Sequence, residues 1–277
     1  ISPPSLSPYQ NTNRPVKMAL LQLCFVFFLF TSAAATCNQC VLSKAAFFAS
    51  SSGLSSGACG YGSLALNMYG EHLAAALPSI YRNGAGCGAC YQIRCKNSAV
   101  CSTTGTAVVV TDLHTDKTNT TSLVLSSRAF RAMALPGKDK QVLGLGIVDV
   151  EYKRVPCVYK GQNLALRVEE YSKFPYYLAI KILYQGGQTD ILTADVAQVG
   201  QGNWKPMKRN YGAVWDSNQI PTGPLQFRFA INSGFDAQYF NTNQVLPKNW
   251  QPGVIYNSTV QINDIALDGC TPCAPWK

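Results

Sequence analysis

The chain has 277 residues, with 23 basic and 14 acidic side chains for a net charge of +9, yet only 13% of its residues are charged and 47% are hydrophobic. That balance excludes a disordered polyelectrolyte and provides enough apolar material for one large or two ordinary domains. The positive excess is spread along the chain and is densest at Lys205, Lys208 and Arg209. It reads either as a solvated face or as attraction to an acidic polymer.

Residues Leu20 to Phe30 are apolar except for Gln22, follow basic Arg14 and Lys17, and precede Ala33, Ala34 and Ala35. This is the pattern of a secretory signal with an Ala-x-Ala type cleavage site, too short to span a bilayer as a helix. Met18 stands at the natural start of such a signal, so residues 1–35 are read as leader plus signal and the remainder as an extracellular protein. Of eleven cysteines, Cys24 falls in the signal, and no cysteine occurs from Val158 to Gly269. The distribution predicts a disulfide-stapled domain over 36–157, a cysteine-free domain over 161–264 and a cysteine-containing tail over 265–277.

In the first domain, short β-branched runs such as Thr106 to Thr111 and Gly146 to Tyr152 alternate with glycine turns and predict strands. Ser126 is placed to cap a short helix over Ser127 to Ala134. In the second, runs at Leu164 to Val168, Tyr177 to Tyr184, Asp190 to Val196, Leu225 to Ile231 and Val254 to Ile262 predict a β-sandwich. The whole is expected to be all-β.

Several separated motifs carry a family resemblance. Gly57-Ala58-Cys59-Gly60-Tyr61-Gly62, Cys87-Gly88-Ala89-Cys90, Thr111-Asp112, the Leu-Ser-x-x-Ala-Phe run from Leu125 to Phe130 and Arg154-Val155-Pro156-Cys157 follow in an order that resembles the plant expansin superfamily, most of all its expansin-like A branch. The resemblance implies a six-stranded double-psi β-barrel similar to that of family-45 endoglucanases, followed by an immunoglobulin-like carbohydrate-binding sandwich. It also implies pairing of Cys59 with Cys87, Cys90 with Cys157 and Cys95 with Cys101. Cys37, Cys40, Cys270 and Cys273 fall outside that pattern, so their partners stay open.

Glycoside hydrolysis needs two carboxylates, one to protonate the leaving oxygen and one to activate water. The family's acid position is occupied here by Val124, and its histidine position by Ser122. The family's Ala-Thr-Phe-Tyr segment reads Ala45-Ala46-Phe47-Phe48, without either hydroxyl. Tyr61, Thr111, Asp112 and His114 remain as groove candidates, although Asp112 could equally accept backbone bonds in a turn. No catalytic residue is therefore assigned.

Polysaccharides present flat apolar sugar faces, so a binding domain needs exposed aromatic rings. Pro175-Tyr176-Tyr177-Leu178-Ala179-Ile180 resembles the Pro-Trp-Trp-x-Ala-Ile segment of bacterial expansin modules. Trp204 to Trp215 is similar to the family's Trp-x-x-Met-x-Arg-Asn-Trp-Gly-x-x-Trp run. Tyr176, Tyr177, Tyr211 and Trp215 are thus the predicted binding residues, with core burial as the alternative for Trp204, Trp215 and Tyr211. Asn119 and Asn257 head N-glycosylation acceptors.

Only His72 and His114 are histidines, and disulfides account better than zinc for the Cys-x-x-Cys pairs. No metal or other cofactor is expected, nor nucleic acid, nor a membrane after signal removal. The leading expectation is a monomeric, non-hydrolytic cell-wall protein that binds cellulose, xyloglucan or another matrix glycan, with pectin a candidate through its basic excess. The alternatives are a weak glycan hydrolase using Asp112, or a structural or signalling wall protein without loosening activity.

Overall fold

Six strands close into a barrel: β1 (Val41–Phe48), β2 (Leu73–Ala76), β3 (Cys90–Cys95), β4 (Thr106–Leu113), β5 (Thr121–Ser126) and β6 (Val148–Val155). The computed structural model describes residues 40–49, 56–115, 120–232 and 237–266. The leader and signal reading, Cys37, Asn119, Cys270 and Cys273 lie outside these residues.

The barrel order is β1-β5-β2-β4-β3-β6, and β6 pairs back with β1. The β1–β5 and β2–β4 pairs are parallel and the rest antiparallel, the arrangement of a double-psi barrel. Strand β2 fits its central place because Ala74, Ala75 and Ala76 leave room for close neighbours, and all four of its residues are buried. Parallel partners cannot be joined by tight hairpins. The chain between the parallel partners β2 and β4 carries α1 (Pro78–Tyr81), and the chain from β5 to β6 carries α2 (Ser127–Ala132) and α3 (Asp139–Leu145). The Ser126 hydroxyl accepts from the Ala129 amide and starts α2, which ends two residues before the predicted Ala134. The α2 residue Phe130 is fully buried, its ring 4.8 Å from that of Phe47.

Disulfides join Cys59 to Cys87, Cys90 to Cys157 and Cys95 to Cys101. The first joins two loops, the other two fix loop residues to β3, and each lowers the entropy of the unfolded chain.

The second region has eight strands, β7 (Ala165–Val168), β8 (Leu178–Leu183), β9 (Ile191–Gln198), β10 (Lys205–Tyr211), β11 (Val214–Ser217), β12 (Leu225–Asn232), β13 (Ala237–Leu246) and β14 (Ile255–Asn257). They follow the order β13-β12-β9-β10-β11-β8-β7-β14. Strand β10 joins the two layers of the sandwich. Its first half pairs with β9 through Lys205 to Met207, and its second half pairs with β11 through Lys208 to Tyr211. Between the layers lie Phe227, Phe229, Leu166, Ile180, Val196 and Trp215. Alternation on β12 accounts for this, since Leu225, Phe227, Phe229 and Ile231 face inward while the intervening residues are half-exposed.

Barrel and sandwich belong to one compact unit. At their junction Arg82 makes a bidentate ion pair with Asp190, and Arg154 donates to the same carboxylate at 2.7 Å. Cys157 and Gly187 exchange backbone hydrogen bonds at 2.8 and 3.1 Å. The Gly212 turn presses on the barrel: a Cβ there would come within 2.5 Å of the Cys59 backbone, and the Ala213 amide donates to the Cys59 carbonyl. Glycine at Gly212 is thus required by contact as well as by its positive φ.

Candidate functional site

Among the described residues, the groove candidates include one carboxylate, and that carboxylate is engaged. An Asp112 oxygen accepts from the Ala58 amide at 2.6 Å and from the Leu113 amide at 2.7 Å. Gly57 lies against it, since a Cβ at Gly57 would sit 2.5 Å from Asp112 Cβ. The neighbouring Thr111 is buried, and its carbonyl accepts from the Cys59 amide. Together Thr111 and Asp112 hold the glycine loop in place.

Register places Asp112 and Val124 on opposite sides of one residue, Ala75 of β2. Two strand spacings separate their backbones, about 10 Å. Where the sheet brings a second side chain into register with Asp112 it therefore brings an isopropyl group, 6% exposed. Ala46 occupies the next position in this row, opposite Val124 on β1. Ser122 is tied to β1, its hydroxyl accepting from Ser43 at 2.7 Å.

One groove candidate, Tyr61, takes a different place from that expected, and His114 lies in a loop. Tyr61 is only 3% exposed and packs its hydroxyl against Gly88, so its ring is barrel core. Burial raises its phenol pKa, partly offset by the Arg209 charge. His114 is half-buried just past β4, where its amide donates to the Ala76 carbonyl.

On the sandwich, Tyr176 is 77% exposed and Tyr211 42%. Tyr177 is half-buried and donates its hydroxyl to Asp216 at 2.7 Å. Burial and that bond push the Tyr177 phenol up to about 12. Asn210 donates to the same Asp216 oxygen at 2.6 Å. Tyr176 lies in the turn from Lys173 to Tyr177 rather than in a strand, so strand alternation does not govern the tyrosine pair.

Sequence reasoning missed Tyr171. It is 43% exposed, and its ring centroid is 6.3 Å from that of Tyr177. Burial and the neighbouring Tyr211 phenol raise its pKa. Tyr171 and Tyr177 therefore form a ring pair, and Tyr211 lies near enough to act on both phenols, so the three rings make one series. Tyr171 sits in a loop outside both quoted motifs, and its only sequence signal was an aromatic ring close to Tyr176 and Tyr177.

Trp215 does not belong to this surface. It is 4% exposed in the sandwich core, because it pairs with Arg209 on the inward side of β10 and β11. The Arg209 guanidinium lies 4.2 Å from its ring centroid. Arg209 also donates to the carbonyls of Gly84, Gly212 and Ile191, so it joins barrel and sandwich instead of facing solvent. Trp204 is half-buried with Arg228 over its ring. Asn257 is exposed on β14 and uses its side-chain oxygen to accept from Asn163 and from the Thr259 amide.

The Tyr211 ring rests on the barrel. A Cβ at Gly60 would lie 2.5 Å from its Cε2. The aromatic series thus begins at the loop held by Asp112, so groove and platform share a border.

A double-psi barrel joined to a two-layer sandwich bearing a tyrosine series defines the expansin class of two-part proteins. Residues 164–247 match the family described as expansin C-terminal domain, and residues 73–152 the family described as lytic transglycolase. The chain is 56% identical over 259 residues to Expansin-like A1 of Arabidopsis thaliana, which covers 92% of this chain and 97% of that protein. It is 48% identical to Expansin-like A3 of Oryza sativa subsp. japonica, over 75% of this chain and 76% of that protein. It belongs to the expansin-like A family. A solved structure of apo Clavibacter michiganensis expansin shares its fold, with a TM-score of 0.60 at 21% identity over 79% of this chain and 96% of the bacterial one. A second structure is a point mutant of that bacterial expansin in complex with cellohexaose, at a TM-score of 0.59 and 20% identity over 80% of this chain and 98% of that one.

Proposed function

We propose that this chain is a secreted, non-hydrolytic cell-wall protein that binds wall polysaccharide along Tyr211, Tyr171, Tyr177 and Tyr176 and loosens or remodels the wall. The linked tyrosine series carries this reading. Several rings on one surface match successive sugar faces of an extended glucan, and stacking needs no charge. The cellohexaose complex of the bacterial expansin supports a β-glucan as ligand. Matrix glycans such as xyloglucan, and pectin through the basic excess, are further ligands of the same monomeric protein. Asn119 and Asn257 are its glycan acceptors.

The barrel supports the non-hydrolytic reading. Asp112 is bound to two backbone amides, and the residue across Ala75 from it is Val124, which cannot exchange a proton. A paired acid and base is what hydrolysis requires. Among the described residues no group of three or more His, Cys, Asp or Glu side chains could hold a metal ion, and no helix is long and apolar enough to cross a membrane.

The test is sedimentation of the purified protein with cellulose, xylan and pectin, alongside assays of reducing-sugar release and of wall creep. Binding and creep without sugar release support the proposal. Sugar release abolished by Asp112→Asn would establish a hydrolase. Binding without creep would reduce the protein to a structural or signalling wall component.

A further inference from the structure

The loops β9–β10 and β11–β12 flank an open cavity of about 470 Å³ at the end of the sandwich remote from the barrel. Lys205, at its edge, and Tyr211 are the first and last residues of β10, about 20 Å apart at the rise of a strand. The cavity is therefore separate from the tyrosine series.

Its lining is unusual in composition. Gln198, Lys205, Ile220 and Pro221 are half-buried and form the deeper part, while Gln201, Asn203, Asn218, Gln219 and Thr222 are exposed around the rim. Five carboxamides thus converge on one space with a hydroxyl, one ammonium and no carboxylate. Gln226 fixes the rim by donating to the backbone carbonyls of Gln198 and Gln201 at 3.2 Å, which leaves both of their side-chain amides unspent. Among the described residues, no side chain of these five amides, Lys205 or Thr222 makes a hydrogen bond to the protein.

A carboxamide offers a donor and an acceptor side by side, which matches a sugar hydroxyl that must both give and accept. Ile220 and Pro221 supply apolar surface for a sugar ring's C–H face. A recess between two loops suits a chain end or a short branch, whereas an extended chain lies along a row of rings. Pockets of this size with a few converging polar groups are where small ligands bind.

We propose that this cavity is a second carbohydrate site, specific for the end or side branch of a neutral oligosaccharide, acting independently of the tyrosine platform. The proposal rests on the reading of the sandwich as a carbohydrate-binding domain. It adds a contact that would let one molecule hold a glucan surface and a branched matrix chain together.

The experiment titrates the full secreted chain with three probes, namely a xylose-branched gluco-oligosaccharide, linear cellohexaose and trigalacturonate, followed by NMR of backbone amides and by calorimetry. The branched neutral probe is expected to shift the amides of 198–205 and 218–222. Gln201→Ala with Gln219→Ala, both exposed rim positions, should weaken that binding about tenfold, the loss of one or two hydrogen bonds. The same pair should leave sedimentation with cellulose unchanged, and Tyr211→Ala should leave the cavity titration unchanged. Absence of shifts at these segments overturns the proposal. So does preferential binding of trigalacturonate that is lost in Lys205→Met, which would make the cavity an acidic-sugar site. Loss of cellulose sedimentation in the Gln201/Gln219 double variant overturns it too, because the cavity would then belong to the platform.

Discussion

Gly60 of the barrel and Tyr211 of the sandwich are in direct contact, with no room for a methyl group between the Gly60 backbone and the tyrosine ring. Gly60 also has φ of +76°. Gly60→Ala should therefore lower stability by about 1 kcal/mol through backbone strain and weaken cellulose binding by displacing Tyr211. Gly62→Ala is the control, because Gly62 has φ of +58° and nothing within 4 Å of an added Cβ. Thermal melts should show both variants destabilised, and sedimentation with cellulose should separate them.

Tyr211→Ala and Tyr171→Ala should each weaken polysaccharide binding by about 1 to 3 kcal/mol, in line with stacking losses on other planar rings. Tyr171→Phe keeps the stacking ring and should retain most of the binding. Trp215→Ala should act on stability, costing about 3 to 5 kcal/mol as a core cavity. Isotherms on cellulose together with chemical denaturation distinguish the two kinds of effect. Full binding by both tyrosine-to-alanine variants would remove the platform.

Asp112→Asn should cost about 1 to 2 kcal/mol of stability, because a charged acceptor for two backbone amides is lost. Neither parent nor variant should release reducing sugars from cellulose, xylan or pectin. Glycan binding should change by no more than a few-fold.

Acid should loosen the junction between barrel and sandwich. Burial alone would raise the Asp190 pKa, but the hydrogen bonds and charges of Arg82 and Arg154 outweigh it, and the net position is below the ordinary 3.8. A carboxyl depressed on folding contributes stability that is present above its unfolded pKa and is lost as pH falls through the folded one. Stability should hold above about pH 4 and fall below it. Asp190→Asn should remove part of that acid slope and lower stability at neutral pH by about 2 to 4 kcal/mol, a range reduced from that of a fully buried pair because the arginines are partly exposed. Melting temperatures of parent and variant from pH 3 to pH 7 measure both effects.

Free-thiol counting on the denatured secreted protein should give a value near zero. Two or more reactive thiols among the ten cysteines from Cys37 onward, or bound zinc, would contradict the disulfide framework.

The motifs most legible in the sequence were those where contact allows only one kind of residue. Gly57, Gly60 and Gly212 leave no room for a Cβ, so a glycine-rich motif marks the junction before any coordinates exist. Both layers of the sandwich were visible in apolar runs, although the expected Val254 to Ile262 strand contracts to Ile255–Asn257. Strand β2 and helix α3 escaped notice, since Leu73–Ala76 is too short for a period and α3 spans only seven residues. Trp215 was misassigned because a motif gives the order of aromatics but not the face each takes. That face was decided by its pairing with Arg209. Tyr171 could not be assigned from sequence, because a loop residue has no periodicity and its place beside Tyr211 depends on how the chain returns from β7.

The Asp190 clamp, Arg209 and the Gly212 turn also constrain how the molecule comes apart. Each uses groups from both halves, so melting the sandwich strands the barrel's Arg82 and Arg154 and uncovers the Cys59 loop. Calorimetry of the intact chain should record one cooperative endotherm rather than two. A barrel expressed without its sandwich would begin with an exposed seam and a tendency to self-associate through it.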